Sequence, residues 1–151
     1  MVSSMDKDVS DPTGLSSLVE FGLALRQAQH LFALRADEAL RSIDLNLGLW
    51  AVLREAARMP GASASELARA SFHTPQTLGG LLQRLVSRGL VARSAGRGRI
   101  VENHLTEAGW VVLRQATERV ESIIAAALDG FSENDREAFN RLAVDLVAAL
   151  G

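Results

Sequence analysis

The chain has 151 residues, of which 48% are apolar and 5% aromatic, and its formal net charge is −2 at pH 7. This length suits one domain with its own core, or one domain with an extension that packs against a second subunit. The absence of cysteine excludes disulfides, thiolate metal sites and thiol-based redox sensing. No apolar run reaches about 18 residues, and the acidic N-terminus does not resemble a signal peptide. We therefore expect a cytoplasmic protein without a membrane span.

The first third of the chain predicts a mobile start followed by two helices. Residues 1–12 are polar and unpatterned, so we expect them to be mobile. Thr13 or Ser16 is a suitable N-cap for a long helix that ends near Arg41, with apolar residues recurring every seven positions. This helix is longer than a compact core requires, which predicts that its surplus apolar surface packs against another subunit. A second helix is expected over 45–57.

The next segment predicts two helices joined by a tight turn. Ser63 and Glu66 fit a capping box at the start of a short helix. Thr74 as N-cap and Pro75 at the first helical position begin another helix, which Gly89 ends. The buried face of that helix is predicted to consist of Leu78, Leu81, Leu82 and Leu85. Together these signals indicate a helix-turn-helix, whose second helix offers its N-terminal residues to a major groove.

A hairpin with a basic tip is expected to follow. Residues 90–93 and 99–104 are strand-like runs around a glycine-rich turn at 94–98. Between positions 71 and 104 the chain has five arginines and one acid, Glu102, which gives a local net charge of +4. A basic segment on an acidic chain is typical of a surface that faces phosphate. The combination predicts a winged helix.

Two more helices are predicted at the C-terminal end. Thr106 caps the first, which extends to about Leu128 with Val112, Ala116, Val120, Ile123 and Ala127 on its apolar face. Ser132 opens the last helix, which is lined by Phe139, Leu142, Leu146 and Leu150. Both helices need apolar partners.

The order of these elements resembles the MarR (multiple antibiotic resistance regulator) family. The resemblance rests on the segment SASELARA…TPQTLGGLLQRLVSRGLVAR and on LTEAG at 105–109, and it covers most of the chain. It implies a mostly α (α+β) winged helix-turn-helix whose N- and C-terminal helices form a dimerisation bundle. On this basis the helical dimerisation region comprises 13–44 and 106–151, and the winged-helix DNA-binding region comprises 45–105. The resemblance also implies a homodimeric, ligand-responsive repressor that binds a pseudo-palindromic operator in double-stranded DNA.

The candidate DNA contacts lie in the first turn of the second helix of the motif and on the arginines that follow. They are Thr74, Gln76, Thr77, Arg84, Arg93, Arg97 and Arg99. Glutamine pairs with adenine, threonine contacts thymine methyl groups or phosphates, and an arginine of a wing inserts into the minor groove. Arg84 and Arg99 match arginines of the family, whereas Arg97 stands where the family usually has aspartate. Ordinary cap chemistry and a solvated hairpin are the alternatives.

Gly79 and Gly80 depart from the family, which commonly has Thr-Arg there. Two glycines cost the helix roughly 2 kcal/mol relative to alanine. Either the backbone approaches DNA closely at this point, or sequence readout is weaker and depends more on the wing. The alternative is close packing between helices, which we favour for Gly79. For His73, a phosphate contact and a solvated turn residue are equally open.

Four aromatic or imidazole side chains form the candidate effector pocket: His30, Phe32, Trp50 and Trp110. The resemblance implies a pocket between the dimerisation helices and the winged-helix lobe, suited to a small aromatic or phenolic effector. The alternative is that these side chains belong to the core.

No enzyme motif is present, and no cofactor, metal or catalytic residue is expected. The three histidines share no ligand spacing, and the chain has no phosphate loop or GxSxG. Two other functions remain open, a winged-helix protein–protein adaptor and a small-molecule-binding helical protein that no longer reads DNA. The local charge of +4 favours DNA binding over both.

Overall fold

The computed structural model describes residues 17–151. The elements within this range are α1 (Ser17–Leu40), a short 3-10 helix (Arg41–Ile43), α2 (Leu47–Arg58), α3 (Ala64–Ala70), α4 (Pro75–Ser87), β1 (Val91–Ala95), β2 (Val101–Leu105), α5 (Glu107–Ala127) and α6 (Glu133–Leu150). The chain divides into two compact units, one ending at Leu34 and the other comprising Arg35–Gly151. This arrangement confirms the predicted mostly helical fold class with a winged helix-turn-helix. The predicted caps Thr13 and Ser16 and the predicted mobile residues 1–12 lie outside the described residues.

Four helices begin at the predicted caps. The side-chain oxygens of Ser63, Thr74, Thr106 and Ser132 each accept a hydrogen bond from the backbone N–H three residues later. At the start of α3 the capping box is complete, because the Glu66 carboxylate also accepts hydrogen bonds from the Ser63 N–H and hydroxyl, both at 2.8 Å. These bonds lower the pKa of the Glu66 carboxyl from its usual value. Each cap satisfies a donor that the helix leaves unpaired.

The start of α2 differs from the prediction by two residues. The chain leaves the 3-10 helix through Asp44 in the left-handed region, at φ 53°. Asn46 is the actual N-cap, since its side-chain oxygen accepts from the Leu49 N–H at 2.8 Å. The Asp37 carboxylate accepts from the Leu47 N–H at 2.7 Å. Two side chains therefore hold the first turn of α2, one of them from α1.

The core of the unit 35–151 surrounds α2. This helix packs against α3, α4, α5 and β2, and its predicted inner face, Leu49, Val52, Leu53 and Ala56, is buried. On α4, Leu78, Leu82 and Leu85 are buried, while Leu81 is half-buried. Burying a leucine side chain fully stabilises the fold by about 1.5–3 kcal/mol. These residues position α4 with its polar side outward.

The predicted apolar face of α5 is confirmed at Ala116 and Val120 and differs from the structure towards both ends of the helix. The buried positions are Gly109, Leu113, Ala116 and Val120, whereas Val112 and Ile123 are half-buried and Ala127 is exposed. The physical reason is a contact at the start of the helix, where Gly109 lies against the backbone of Leu90. A Cβ atom added to Gly109 would overlap the Leu90 carbonyl oxygen. This contact sets the rotation of α5 about its axis, and the later buried positions follow at helical spacing.

In the wing, β1 ends two residues later and β2 begins two residues later than the sequence predicts. β1 and β2 pair in antiparallel register from Val91↔Leu105 to Ala95↔Val101, so Arg99 and Ile100 belong to the turn instead of a strand. Inside that turn the Gly96 N–H donates to the Ile100 carbonyl at 2.8 Å. Gly98 adopts a left-handed φ of 68°. The two glycines make a tip that a chain with larger residues there would not form.

The wing is attached to the connection between α2 and α3 through Asn103, which is 1% exposed. Its backbone N–H donates to the Ala62 carbonyl at 3.2 Å, and its side-chain amide donates to the same oxygen at 2.8 Å. The Gly61 N–H in turn donates to the Asn103 carbonyl at 3.0 Å. These bonds, which the sequence pattern does not reveal, fix the base of the wing.

We predict that Gly109→Ala lowers the free energy of unfolding by about 2 kcal/mol or more, because a methyl group there has no room beside backbone atoms. Chemical denaturation of the two proteins measures this loss. Gly130→Ala is the matched control, since a Cβ at Gly130 meets nothing within 4 Å. Equal stability of Gly109→Ala and the wild type would contradict the packing described here.

Candidate nucleic-acid interface

The first turn of α4 presents polar side chains to solvent. Thr74, Gln76 and Thr77 are all exposed. The Thr74 hydroxyl accepts from the Thr77 N–H at 3.2 Å and donates to the Thr77 hydroxyl at 3.0 Å, so capping occupies it. In the part of the chain that the structure describes, no group hydrogen-bonds the Gln76 side-chain amide. Gln76 is thus the side chain of this turn whose donors and acceptors are all available to a base edge.

Gly79 and Gly80 leave the middle of α4 bare. Both are exposed, and a Cβ added to either meets nothing within 4 Å. The expectation that Gly79 serves close helix–helix packing was therefore wrong. The buried side of α4 is occupied by leucines, and the two glycines lie on its opposite side. The two glycines therefore leave an unobstructed stretch of helix surface directly after the first turn of α4.

Four arginines surround α4 and the wing with their charges in solvent. Arg84 lies on α4, Arg93 on β1, and Arg97 and Arg99 flank Gly98 in the tip. All four are exposed, and none forms an ion pair with a carboxylate within residues 17–151. Exposed, unpaired guanidinium groups keep their full charge for an anionic partner.

Arg93 and Arg99 line the same groove. Its other walls are the first turn of α3, including Ser63 and Ser65, and the side of α4 at Leu82. Arg93 pairs with Asn103 across the hairpin, and Arg99 lies two residues before β2 begins. Both arginines therefore belong to the part of the wing that lines this groove. The groove joins two cations and the Ser65 hydroxyl, which are groups that bind phosphate oxygens, whereas the Ser63 hydroxyl is already bonded to Glu66.

Arg88 has a different role from the other arginines. Its guanidinium donates to the carbonyl oxygens of Asp44 at 2.6 Å and Ile43 at 3.1 Å. It therefore joins the end of α4 to the end of the 3-10 helix. His73 is half-buried, and its Nδ1 lies 2.9 Å from the Ser71 hydroxyl. Arg88 thus has a structural role, and His73 has a hydrogen-bond partner within its own turn.

The effector candidates fall in different parts of the chain. His30 is exposed and Phe32 half-buried on α1, within the unit that ends at Leu34. In the unit 35–151, Trp50 is half-buried and its Nε1 donates to the Thr117 hydroxyl at 3.2 Å. Trp110, in the first turn of α5, is 45% exposed. The grouping of the four side chains into one pocket stays a prediction.

Sequence reasoning missed Phe72 in the turn between α3 and α4. This residue adopts a left-handed φ of 56° and is 89% exposed. The signal was available, since a short turn before an N-cap needs a left-handed residue, and the chain has no glycine between Gly61 and Gly79 to supply it.

Two negative findings limit the kinds of site in this part of the chain. Among residues 17–151 no three His, Asp or Glu side chains lie close enough together to hold a metal ion. No helix in the same range has both the length and the apolar character that crossing a membrane requires.

Comparison with known proteins shows what the chain is similar to. Residues 43–100 match the family model described as "MarR family". The chain is 29% identical over 131 residues to the HTH-type transcriptional repressor Rv2887 of Mycobacterium tuberculosis, which covers 85% of this chain and 94% of that protein.

Crystal structures of Rv2887 are similar as well. Its complex with p-aminosalicylic acid has a TM-score of 0.72 at 29% identity and covers 83% of this chain and 96% of that one. Its complex with DNA has a TM-score of 0.71 at 26% identity and covers 83% of this chain and 95% of that one. The region that matches the family model, residues 43–100, contains the helix-turn-helix and most of the wing. The similarity to Rv2887 extends well beyond this region. Residues 43–100 thus match the MarR family of winged-helix transcription regulators, and the similarity to a solved MarR-family structure covers 83% of the chain.

Proposed function

We propose that the chain is a ligand-responsive repressor that binds a pseudo-palindromic operator as a homodimer. The observation that carries this proposal is the set of exposed, unpaired arginines on α4 and the wing, Arg84, Arg93, Arg97 and Arg99. The chain as a whole has a net charge of −2, so this concentration of positive charge is local. The similarity to Rv2887, a repressor crystallised with DNA, supports the same function.

In the proposed complex, α4 enters the major groove and the wing reaches the adjacent minor groove. Gln76 reads a base edge, while Thr74 and Thr77 contact the phosphate or thymine methyl groups beside it. Arg97 and Arg99 at the wing tip insert into or lie along the minor groove, and Arg93 and Arg84 neutralise phosphates. Two such motifs in a dimer read half-sites about 10 bp apart.

The exposed apolar surface of α6 supports dimerisation. None of the residues of α6 is buried. Its apolar residues Phe139, Leu142, Val147 and Leu150 are all at least 60% exposed. On α1, Leu18 and Phe21 are also largely exposed. Apolar area of this extent marks a surface that another protein chain covers. We assign 13–44 and 106–151 to the dimerisation region and 45–105 to the DNA-binding region, in a cytoplasmic protein.

For the effector we propose a small phenolic acid. Rv2887 has been crystallised with p-aminosalicylic acid, which combines an aromatic ring with a carboxylate and a hydroxyl. The candidate pocket residues are His30, Phe32, Trp50 and Trp110. Effector binding releases DNA only to the extent that the effector binds the DNA-free state more tightly than the DNA-bound state.

A protein–protein adaptor is the second candidate. The bare surface at Gly79 and Gly80 favours it, because a recognition helix without side chains at two exposed positions has fewer groups to read bases. The salt dependence of DNA binding distinguishes the two candidates.

We predict that Arg97→Ala/Arg99→Ala weakens DNA binding and lowers the slope of log K against log salt by about two phosphate contacts per chain. The measurement is a titration of the chain's own promoter fragment between about 50 and about 200 mM salt, with random duplex as competitor. Arg114→Ala/Arg141→Ala removes the same charge from α5 and α6 and should leave the slope unchanged. The titration also gives the stoichiometry, for which we expect two chains per site. Weak wild-type binding that random duplex abolishes equally would instead favour the adaptor.

We predict that Gly79→Ala and Gly80→Ala each raise the free energy of unfolding by about 0.5–1 kcal/mol, because alanine favours the helix and meets no neighbouring atom. Thermal denaturation measures this gain. Promoter binding by the same variants tests the reason for the glycines. Loss of affinity in a more stable protein means that DNA approaches the backbone there, whereas unchanged affinity means that it does not.

We predict that p-aminosalicylic acid changes the tryptophan fluorescence and releases the promoter fragment over the same concentration range, because Trp50 and Trp110 lie in the candidate pocket. Trp50→Phe and Trp110→Phe, measured separately, assign the signal. Benzoic acid is the control for the phenolic hydroxyl. Release of DNA without a binding signal, or binding without release, would count against this mechanism.

A further inference from the structure

Phe72 combines two features that oppose stability. Its ring is 89% exposed, the largest fraction among the exposed large apolar side chains of the described residues. Its backbone has a φ of 56°, a left-handed conformation that is unfavourable for a bulky side chain. A glycine would remove both costs. The chain therefore carries a phenylalanine where the fold itself does not require one.

The turn imposes this backbone conformation. The Phe72 N–H donates to the Arg69 carbonyl at 3.3 Å, and the His73 N–H donates to the Ala68 carbonyl at 2.9 Å. These bonds end α3, and Thr74 begins α4 two residues after Phe72. The left-handed residue lets the chain reverse between the two helices. Because the ring is in solvent, packing within the chain offers little to offset the strain.

We propose that Phe72 is a DNA-contacting residue whose ring packs against a deoxyribose at the edge of the groove that α4 enters. This inference rests on the proposed function. Phe72 precedes the N-cap of α4, so it lies just outside the helical residues that reach base edges. At that position a side chain meets the sugar–phosphate backbone, whose deoxyribose carbons are its apolar part.

The surroundings favour DNA over a protein partner. Between Arg35 and Arg99, Phe72 is the only large apolar side chain that is exposed. A protein interface has a contiguous apolar core, which a single ring among Ser71, His73 and Thr74 does not provide. The same segment carries the local charge of +4. A lone aromatic ring on a basic surface fits a polyanion that has small apolar faces between its charges.

The test compares Phe72→Gly and Phe72→Asn with Phe72→Tyr. Glycine and asparagine both tolerate the left-handed conformation but lack the ring, whereas tyrosine keeps the ring and the strain. We expect the first two variants to lose affinity about tenfold for both the promoter fragment and random duplex. Tyrosine should bind like the wild type. Melting temperatures of the glycine and asparagine variants should equal or exceed that of the wild type.

Salt dependence separates this contact from the arginines. Since a ring on a sugar releases no counterion, the slope of log K against log salt should stay at its wild-type value in Phe72→Gly. Wild-type affinity in Phe72→Gly and Phe72→Asn would overturn the inference, as would a reduced slope. Loss confined to the promoter fragment would also overturn it, because it would indicate base reading. If the wild type itself fails to bind DNA specifically, the proposed function fails instead.

Discussion

One close contact between backbones, the approach of Gly109 to Leu90, joins the start of the wing to the start of α5. The Thr106 hydroxyl completes it, because it accepts from the Gly109 N–H at 3.0 Å and donates to the Gly89 carbonyl at 2.7 Å. The Thr106 N–H also donates to the Leu90 carbonyl at 3.1 Å. The end of α4, both ends of the wing and the start of α5 thus meet within a few residues. In the LTEAG run, Thr106 supplies these hydrogen bonds and Gly109 leaves room for the Leu90 backbone.

The parts of the fold that were predicted correctly depend on neighbours in sequence. A cap such as Thr74 or Ser132 bonds a group three residues away, so its effect is visible in the sequence. The burial of Gly109 at the start of α5 comes instead from a contact across the fold with Leu90, so the apolar pattern predicted Ala116 and Val120 but not Gly109. Asn103 shows the same limit, since its partner Ala62 is distant in sequence.

The sequence indicates which residues are candidates for the site. Only the structure distinguishes the exposed arginines from Arg88, which bonds backbone carbonyl groups. Arg88 and Arg84 lie four residues apart on the same helix, and composition cannot distinguish them. Tertiary structure does so, because carbonyl groups of the 3-10 helix lie within reach of Arg88 only. On α2 the buried Glu55 is paired with both Arg54 and Arg58 at 2.7 Å, so that acid and those two bases are occupied with each other. Between positions 71 and 104, by contrast, five arginines face one acid, Glu102, so positive charge on α4 and the wing has no matching carboxylates.

The two hydrogen bonds of Arg88 connect the end of α4 to the end of the 3-10 helix, so the two segments move together. A guanidinium that bonds two successive carbonyl oxygens restricts both distance and angle, which a single ammonium group would not. Any tilt of the segment that follows α1 must therefore carry the C-terminal end of α4 along or break both bonds. Arg88 holds α4 at its C-terminal end, so a small displacement there changes the direction in which the first turn of the helix points.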